Sequence, residues 1–135
     1  MKFFKQILNE SRSSKDGIFF QKIQRIVKVK PNSLAIYKQA FTHCSLKVKD
    51  DEGQFISYER LEFLGDSILG AVISTYLFNN APHGDEGYLT KMRSKIVSRK
   101  NLNLLGENFN LSDLILSEIP SSKLGKNING NLFEA

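Results

Sequence analysis

Three carboxylates stand within 58-YERLEFLGDS-67: Glu59, Glu62 and Asp66. At helical pitch their i, i+3, i+7 spacing puts all three on one face, within an arc of roughly 60°. The macrodipole favours negative charge at a helix start, which suffices for Glu59. It serves Glu62 less well. It serves Asp66 poorly, since aspartate is a mediocre helix former and this one falls in the third turn of an otherwise apolar segment. Clustered acids raise one another's pKa values unless a cation compensates. Arg60 points elsewhere, so the segment brings no cation to that face. A hard divalent ion is the natural partner, because Mg²⁺ takes oxygens from a few carboxylates and keeps several waters.

The rest of the chain narrows the chemistry. It has 135 residues, 19 Lys+Arg against 14 Asp+Glu, and a formal net charge of +5. That balance makes a polyanion, nucleic acid first, the leading candidate partner. Carboxylates holding Mg²⁺ within a basic surface suit phosphodiester cleavage, where the metal neutralises phosphate charge and acidifies an attacking water. One cysteine, Cys44, excludes an internal disulfide and makes a reducing cytoplasm the default, and no Cys/His cluster suggests zinc. No apolar run approaches the roughly 18 to 20 residues of a membrane span, so no membrane partner is expected. The opening MKFFKQILNESRS is interrupted too early for a signal peptide.

The elements that must position the acids read as helical. Phe19, Phe20, Ile23, Ile26 and Val27 share a face, as do Leu34, Tyr37 and Phe41 after a cap at Asn32 or Ser33. Residues 46–56 read as a loop. The longest helix is expected from Ser57 to about Asn79; past its first turns it is apolar nearly all round, the pattern of a helix buried at a bundle's centre. A turn at 82–87 precedes expected helices over 88–105 and 111–117, then a loop, SSKLGKNINGN. The three prolines, 31, 82 and 120, fall at boundaries. No strand is convincing, and the class is all-α.

These residues resemble a known family. YERLEFLGDS is similar to the signature motif of the ribonuclease III family, the double-stranded RNA endonucleases. QAFTHCS (39–45) resembles its upstream helix motif, with Cys44 where an arginine is common. GDEGYLTKMRSKIVS (84–98) and GNLFEA (130–135) resemble its next block and its second acidic motif, in order and spacing. The resemblance implies a homodimeric, all-helical endonuclease bundle that cuts RNA duplexes with Mg²⁺, Mn²⁺ being able to substitute, and leaves 5′-phosphates and 3′ overhangs. It further implies roles in rRNA processing and mRNA turnover. It assigns Glu62, Asp66, Asn131 and Glu134 to the metal, with Asp66 and Glu134 essential for chemistry. Glu59 and Glu86 become supporting acids, and Phe63 either packs across the dimer interface or fills an intrachain core.

One position departs from the pattern: Asn131 stands where an aspartate is usual. Its amide oxygen can coordinate but brings no charge. Weaker metal binding is the favoured consequence, since the other acids are intact; an inactive RNA-binding relative and an engineered substitution are the alternatives. A structural helical domain without RNA is a third functional reading.

Lys91, Lys95 and Arg99 recur at i, i+4, i+8 and read either as an RNA phosphate-binding stripe or as a solvated face. Eight further basic residues (Lys2, Lys5, Arg12, Lys15, Lys22, Arg25, Lys28, Lys30) precede Pro31 without an assignable place. His43 reads as a structural hydrogen-bonding residue. Residues 1–135 are expected to be one endonuclease domain, incomplete at its C-terminus and without a double-stranded-RNA-binding domain.

Overall fold

A computed structural model describes residues 14–135; the opening segment with Lys2, Lys5 and Arg12 lies outside the described residues. Six α-helices follow: α1 (Ser14–Val27), α2 (Leu34–Ala40), α3 (Glu59–Asn80), α4 (Glu86–Ile96), α5 (Arg99–Asn108) and α6 (Ile128–Glu134). Single 3-10 turns stand at Cys44–Leu46, Leu111–Leu114 and Ser121–Lys123. Among the described residues no strand forms, only isolated bridges pairing Thr42 with Leu116 and Lys49 with Phe55. The all-α expectation holds.

The apolar face of α1 enters the core through Ile23, which is 2% exposed, with Phe19, Ile26 and Val27 packed beside it. Ala40, Phe41, Tyr58, Leu111, Leu114 and Leu132 complete this cluster. Burying such side chains contributes about 1.5–3 kcal/mol each against leaving them in water. Asp16 of α1 pairs with Lys38 of α2 at 2.7 Å, fixing the two helices where they meet. The Leu116 N–H donates to the Phe41 carbonyl at 2.7 Å and that of Tyr58 to Thr42 at 2.9 Å. The start of α3 is thereby anchored to the core.

Five expectations are corrected. The helix expected over 88–105 is two helices: α4 ends at Ile96, and Ser98 turns to extended backbone and caps α5, its hydroxyl accepting from the Asn101 N–H. The expected helix over 111–117 is one 3-10 turn. The NINGN of the expected loop lies largely in α6. The largest correction concerns α3, where Leu77 alone is buried. Phe63 (80% exposed), Leu64, Ile68, Val72, Tyr76 and Phe78 face outward. The all-round apolarity of α3 thus reflects an uncovered face, and Phe63 fills no intrachain core. By length and composition α3 is also apolar enough to cross a membrane, at 22 residues and mean hydropathy 1.4, contrary to the expectation that no segment would be. The acids of its opening turns interrupt the run in sequence without lowering the average over the rest.

α6 packs mainly on α5 and then on α3. Glycines permit both approaches: a Cβ on Gly106 would collide with the Asn129 backbone, and one on Gly65 with the Glu134 carbonyl. These two close crossings hold the last described acid over the signature helix.

Candidate active site

Glu134 is the centre of the arrangement. It projects from the last turn of α6 and is one of three buried polar or charged residues among those described, its side chain 3% exposed. A carboxylate so far from water needs a charged partner. That partner is Arg99, the first residue of α5, whose Nη1 donates to Glu134 Oε2 at 2.8 Å. The same nitrogen donates to Asn131 Oδ1 at 2.8 Å. Asn131 also lies near the Tyr58 hydroxyl. Burial pushes the Tyr58 phenol above its ordinary pKa, and this contact draws it back.

Glu62 lies half-buried across the α3–α6 crossing. Burial raises its carboxyl above the usual range, the neighbouring Glu134 raises it further, and Arg99 acts in the opposite direction; Glu59 and Asp66 add smaller pushes upward. The structure therefore brings Glu62, Glu134, Asn131 and Arg99 together, with exposed Asp66 one turn further along α3. Glu59 is exposed, accepts from the Ser57 hydroxyl at 3.3 Å, and raises the Cys44 thiol behind burial as the main cause. It belongs to the rim.

Glu86 is placed elsewhere. It opens α4, accepts from the Thr90 hydroxyl at 2.9 Å, and lines a cleft of about 480 Å³ with Ser74, Thr75, Phe78 and Arg93. Thr75 and Phe78 stand roughly 13 to 18 Å along α3 from Asp66 at 1.5 Å per residue. Within one chain, then, Glu86 does not join the acids.

Arg99 is a correction too. The break at Val97–Ser98 removes it from the α4 stripe, leaving Lys91 and Lys95 as exposed cations on that helix. The compensating cation sought on the signature helix arrives instead from α5. Spacing along one helix could not reveal it; the one local signal was Ser98, a good cap residue inside an expected helix. His43 matches its structural reading: its Nδ1 accepts from the Ser45 N–H at 3.1 Å, and its ring lies 6.1 Å from that of Tyr58.

The side chains present fit a hard divalent cation. They are oxygen donors, and the buried Glu134 beside Glu62 is a concentration of negative charge that one half-exposed arginine shares. Among the described residues no three acid, histidine or cysteine side chains converge into a ready cage. Oxygen donors of this kind suit an ion such as Mg²⁺, which takes few protein ligands and retains water.

The Ribonuclease-III-like family model matches residues 33–135, a span that contains every residue of this cluster. The chain belongs to the ribonuclease-III-like family. Two relatives named Ribonuclease 3 align along the whole chain, one from Zunongwangia profunda at 56% identity and one from Flavobacterium psychrophilum at 53%. The chain spans 55% of the length of each. A solved nuclease domain of ribonuclease III from Campylobacter jejuni superposes with TM-score 0.72 at 28% identity, covering 85% of this chain and 79% of that one. That structure is described as showing flexibility in a region involved in dimer formation. A second structure of the Campylobacter domain gives TM-score 0.70, covering 84% of this chain and 76% of that one. The chain thus shares the fold of these nuclease domains.

Proposed function

We propose that this chain is the endonuclease domain of an Mg²⁺-dependent enzyme that cleaves double-stranded RNA, leaving 5′-phosphates and 3′ overhangs, in rRNA processing and mRNA turnover. The carrying observation is the meeting of Glu62 and Glu134, from motifs 72 residues apart within the family match, at a crossing tight enough to require glycine at 65. Glu62, Asp66, Asn131 and Glu134 would hold the ion, Asn131 through its neutral amide oxygen, with Asp66 and Glu134 the essential pair. Bound there, Mg²⁺ (or Mn²⁺) would neutralise phosphate charge and supply a more acidic water for in-line attack.

The chain's own side chains do the rest. Burial fixes the Glu134 rotamer, and Asn131, one turn earlier on α6, turns its amide oxygen to the same arginine and would serve as a neutral ligand. Lys91 and Lys95 contact the RNA backbone, consistent with duplex RNA being read by shape and phosphate. Glu59 and Glu86 support the site or substrate from outside the cluster.

The uncovered α3 face fits a second copy of the chain. Phe63, Leu64, Ile68, Val72, Tyr76 and Phe78 form an apolar surface on one long helix, and a related nuclease domain has a described dimer-forming region. A soluble dimer accounts for that surface better than a membrane does, because the helix also carries Glu62 and Asp66 of the site. An RNA substrate and a lone cysteine agree with a cytoplasmic enzyme.

The test is incubation of the protein with a uniform RNA duplex and its single strands, with and without Mg²⁺. Duplex-specific, metal-dependent cutting to 5′-phosphate ends is expected. Retention of duplex RNA without cutting at any Mg²⁺ concentration would replace this reading by that of a catalytically silent RNA-binding relative.

A further inference from the structure

We propose that Arg99 is an internal latch on Glu134: it supplies, in the metal-free protein, the positive charge that a divalent cation takes over, so that loading the metal and releasing Arg99 are one event. The inference rests on the metal-nuclease reading above and adds to it a role for a residue outside the family's acidic motifs.

Three observations carry it. The first is shared occupancy. One nitrogen of Arg99 sits 2.8 Å from both Glu134 Oε2 and Asn131 Oδ1, two of the oxygens available to a metal. A cation bound to those oxygens would stand against the guanidinium, and two positive charges a few ångströms apart repel in a partly buried site.

The second is the asymmetry of the pair. The Glu134 side chain is 3% exposed while that of Arg99 is 45% exposed. The carboxylate is fixed and the guanidinium can depart, because its stem already borders solvent. The Ser98 cap holds the start of α5 in place, so the motion needs side-chain rotation and no helix shift.

The third is the neutrality of Asn131. An aspartate there would hold Arg99 between two carboxylates, and charged hydrogen bonds are roughly twice as strong as neutral ones. Asparagine leaves a single ion pair to break. Once displaced, the guanidinium offers a planar fork of N–H donors suited to phosphate oxygens, so release hands Arg99 to the RNA backbone.

The experiment compares the wild-type protein with Arg99→Gln and Arg99→Lys, using calorimetric Mg²⁺ titration without RNA and thermal unfolding without metal. Gln keeps N–H donors for Glu134 but no charge. The latch predicts opposite signs: the metal-free Tm of Arg99→Gln falls by roughly 3–6 °C, while its Mg²⁺ affinity rises about three- to tenfold. Lys, a point charge without the fork, gives an intermediate affinity. A merely structural Arg99 would lower both together, so Mg²⁺ affinity in Arg99→Gln equal to or below wild type overturns the latch. Wild-type binding with unchanged variants overturns the latch alone; absence of Mg²⁺ binding in all three proteins removes the metal reading with it.

Discussion

Gly65 of α3 lies directly against the backbone carbonyl of Glu134 in α6, so that no side chain fits between them. The contact sets how near the signature helix comes to the second acidic motif. An alanine at 65 gains about 1 kcal/mol of helix propensity. It also forces the crossing apart, and overpacking of this kind costs typically 1–3 kcal/mol. Gly65→Ala is therefore expected to lower the Tm and, by moving Glu134 from Glu62, to weaken Mg²⁺ binding as well. Gly17→Ala on α1, where a Cβ meets nothing, should raise the Tm. Thermal unfolding of both variants checks this: a Gly65→Ala protein as stable as wild type would show that α6 is not held by the crossing.

The hinge between α4 and α5 places the latch, and its cap is one side chain. Ser98 Oγ accepts from the Asn101 N–H at 3.4 Å, a long bond. Its loss should sit at the low end of the cap range, about 0.5–1 kcal/mol. Ser98→Ala is expected to fray the first turn of α5 and loosen Arg99 from Glu134, while Ser98→Asp restores the cap. Hydrogen exchange at the Asn101 amide reads this directly: exchange unchanged in Ser98→Ala would mean that the cap does not hold the turn.

Local periodicity made α1, α2 and α3 legible, because an amphipathic or apolar helix writes its face every three to four residues. It also placed Glu59, Glu62 and Asp66 on one face. It misjudged what covers α3, since an apolar helix face reads the same whether its own chain or another surface is to bury it. The break before Arg99 was masked for a related reason: Lys91, Lys95 and Arg99 keep helical spacing through Ser98, whose cap character was the one sign that the chain leaves the helix there. The pairing of Arg99 with Glu134 joins positions remote in sequence, and only the approach of α6 to α5, permitted at Gly106, creates it. Motif order placed Glu134 at the site, but its burial, and hence its need for a cation, is a property of packing.

That burial shapes the pH response through Glu62, whose carboxyl is pushed up by desolvation and by Glu134. The folded state then holds this proton more tightly than the unfolded chain does. Stability from this group falls as pH rises from the ordinary glutamate value, about 4.3, through the raised one, because the native state binds more protons across that window. Glu62→Gln removes the loss, so the variant should be more stable than wild type at pH 7 without metal, with the gap closing toward pH 4. Saturating Mg²⁺ should reverse the order at pH 7, since only wild type keeps the ligand. Melting curves across that range decide the matter; a constant gap at every pH would exclude Glu62 as the titrating group.

Phe63 tests the proposed second copy. At 80% exposed it has little to lose within one chain, so its truncation should leave the stability of a monomer nearly unchanged. If the α3 face is instead a dimer interface, a central aromatic of this kind costs about 2 kcal/mol on truncation. The cost applies twice in a symmetric pair, so Phe63→Ala should weaken association by roughly 10³-fold. Sedimentation over a concentration series measures this, with Ile18→Ala, another exposed apolar residue but on α1, as the control expected to change nothing. Wild type sedimenting as a monomer at all concentrations would refute the dimer. A dimer indifferent to Phe63→Ala would place the interface off this face. Duplex cutting adds a further readout, because cleavage of both strands by paired sites should fall with dissociation and recover as Phe63→Ala protein is concentrated.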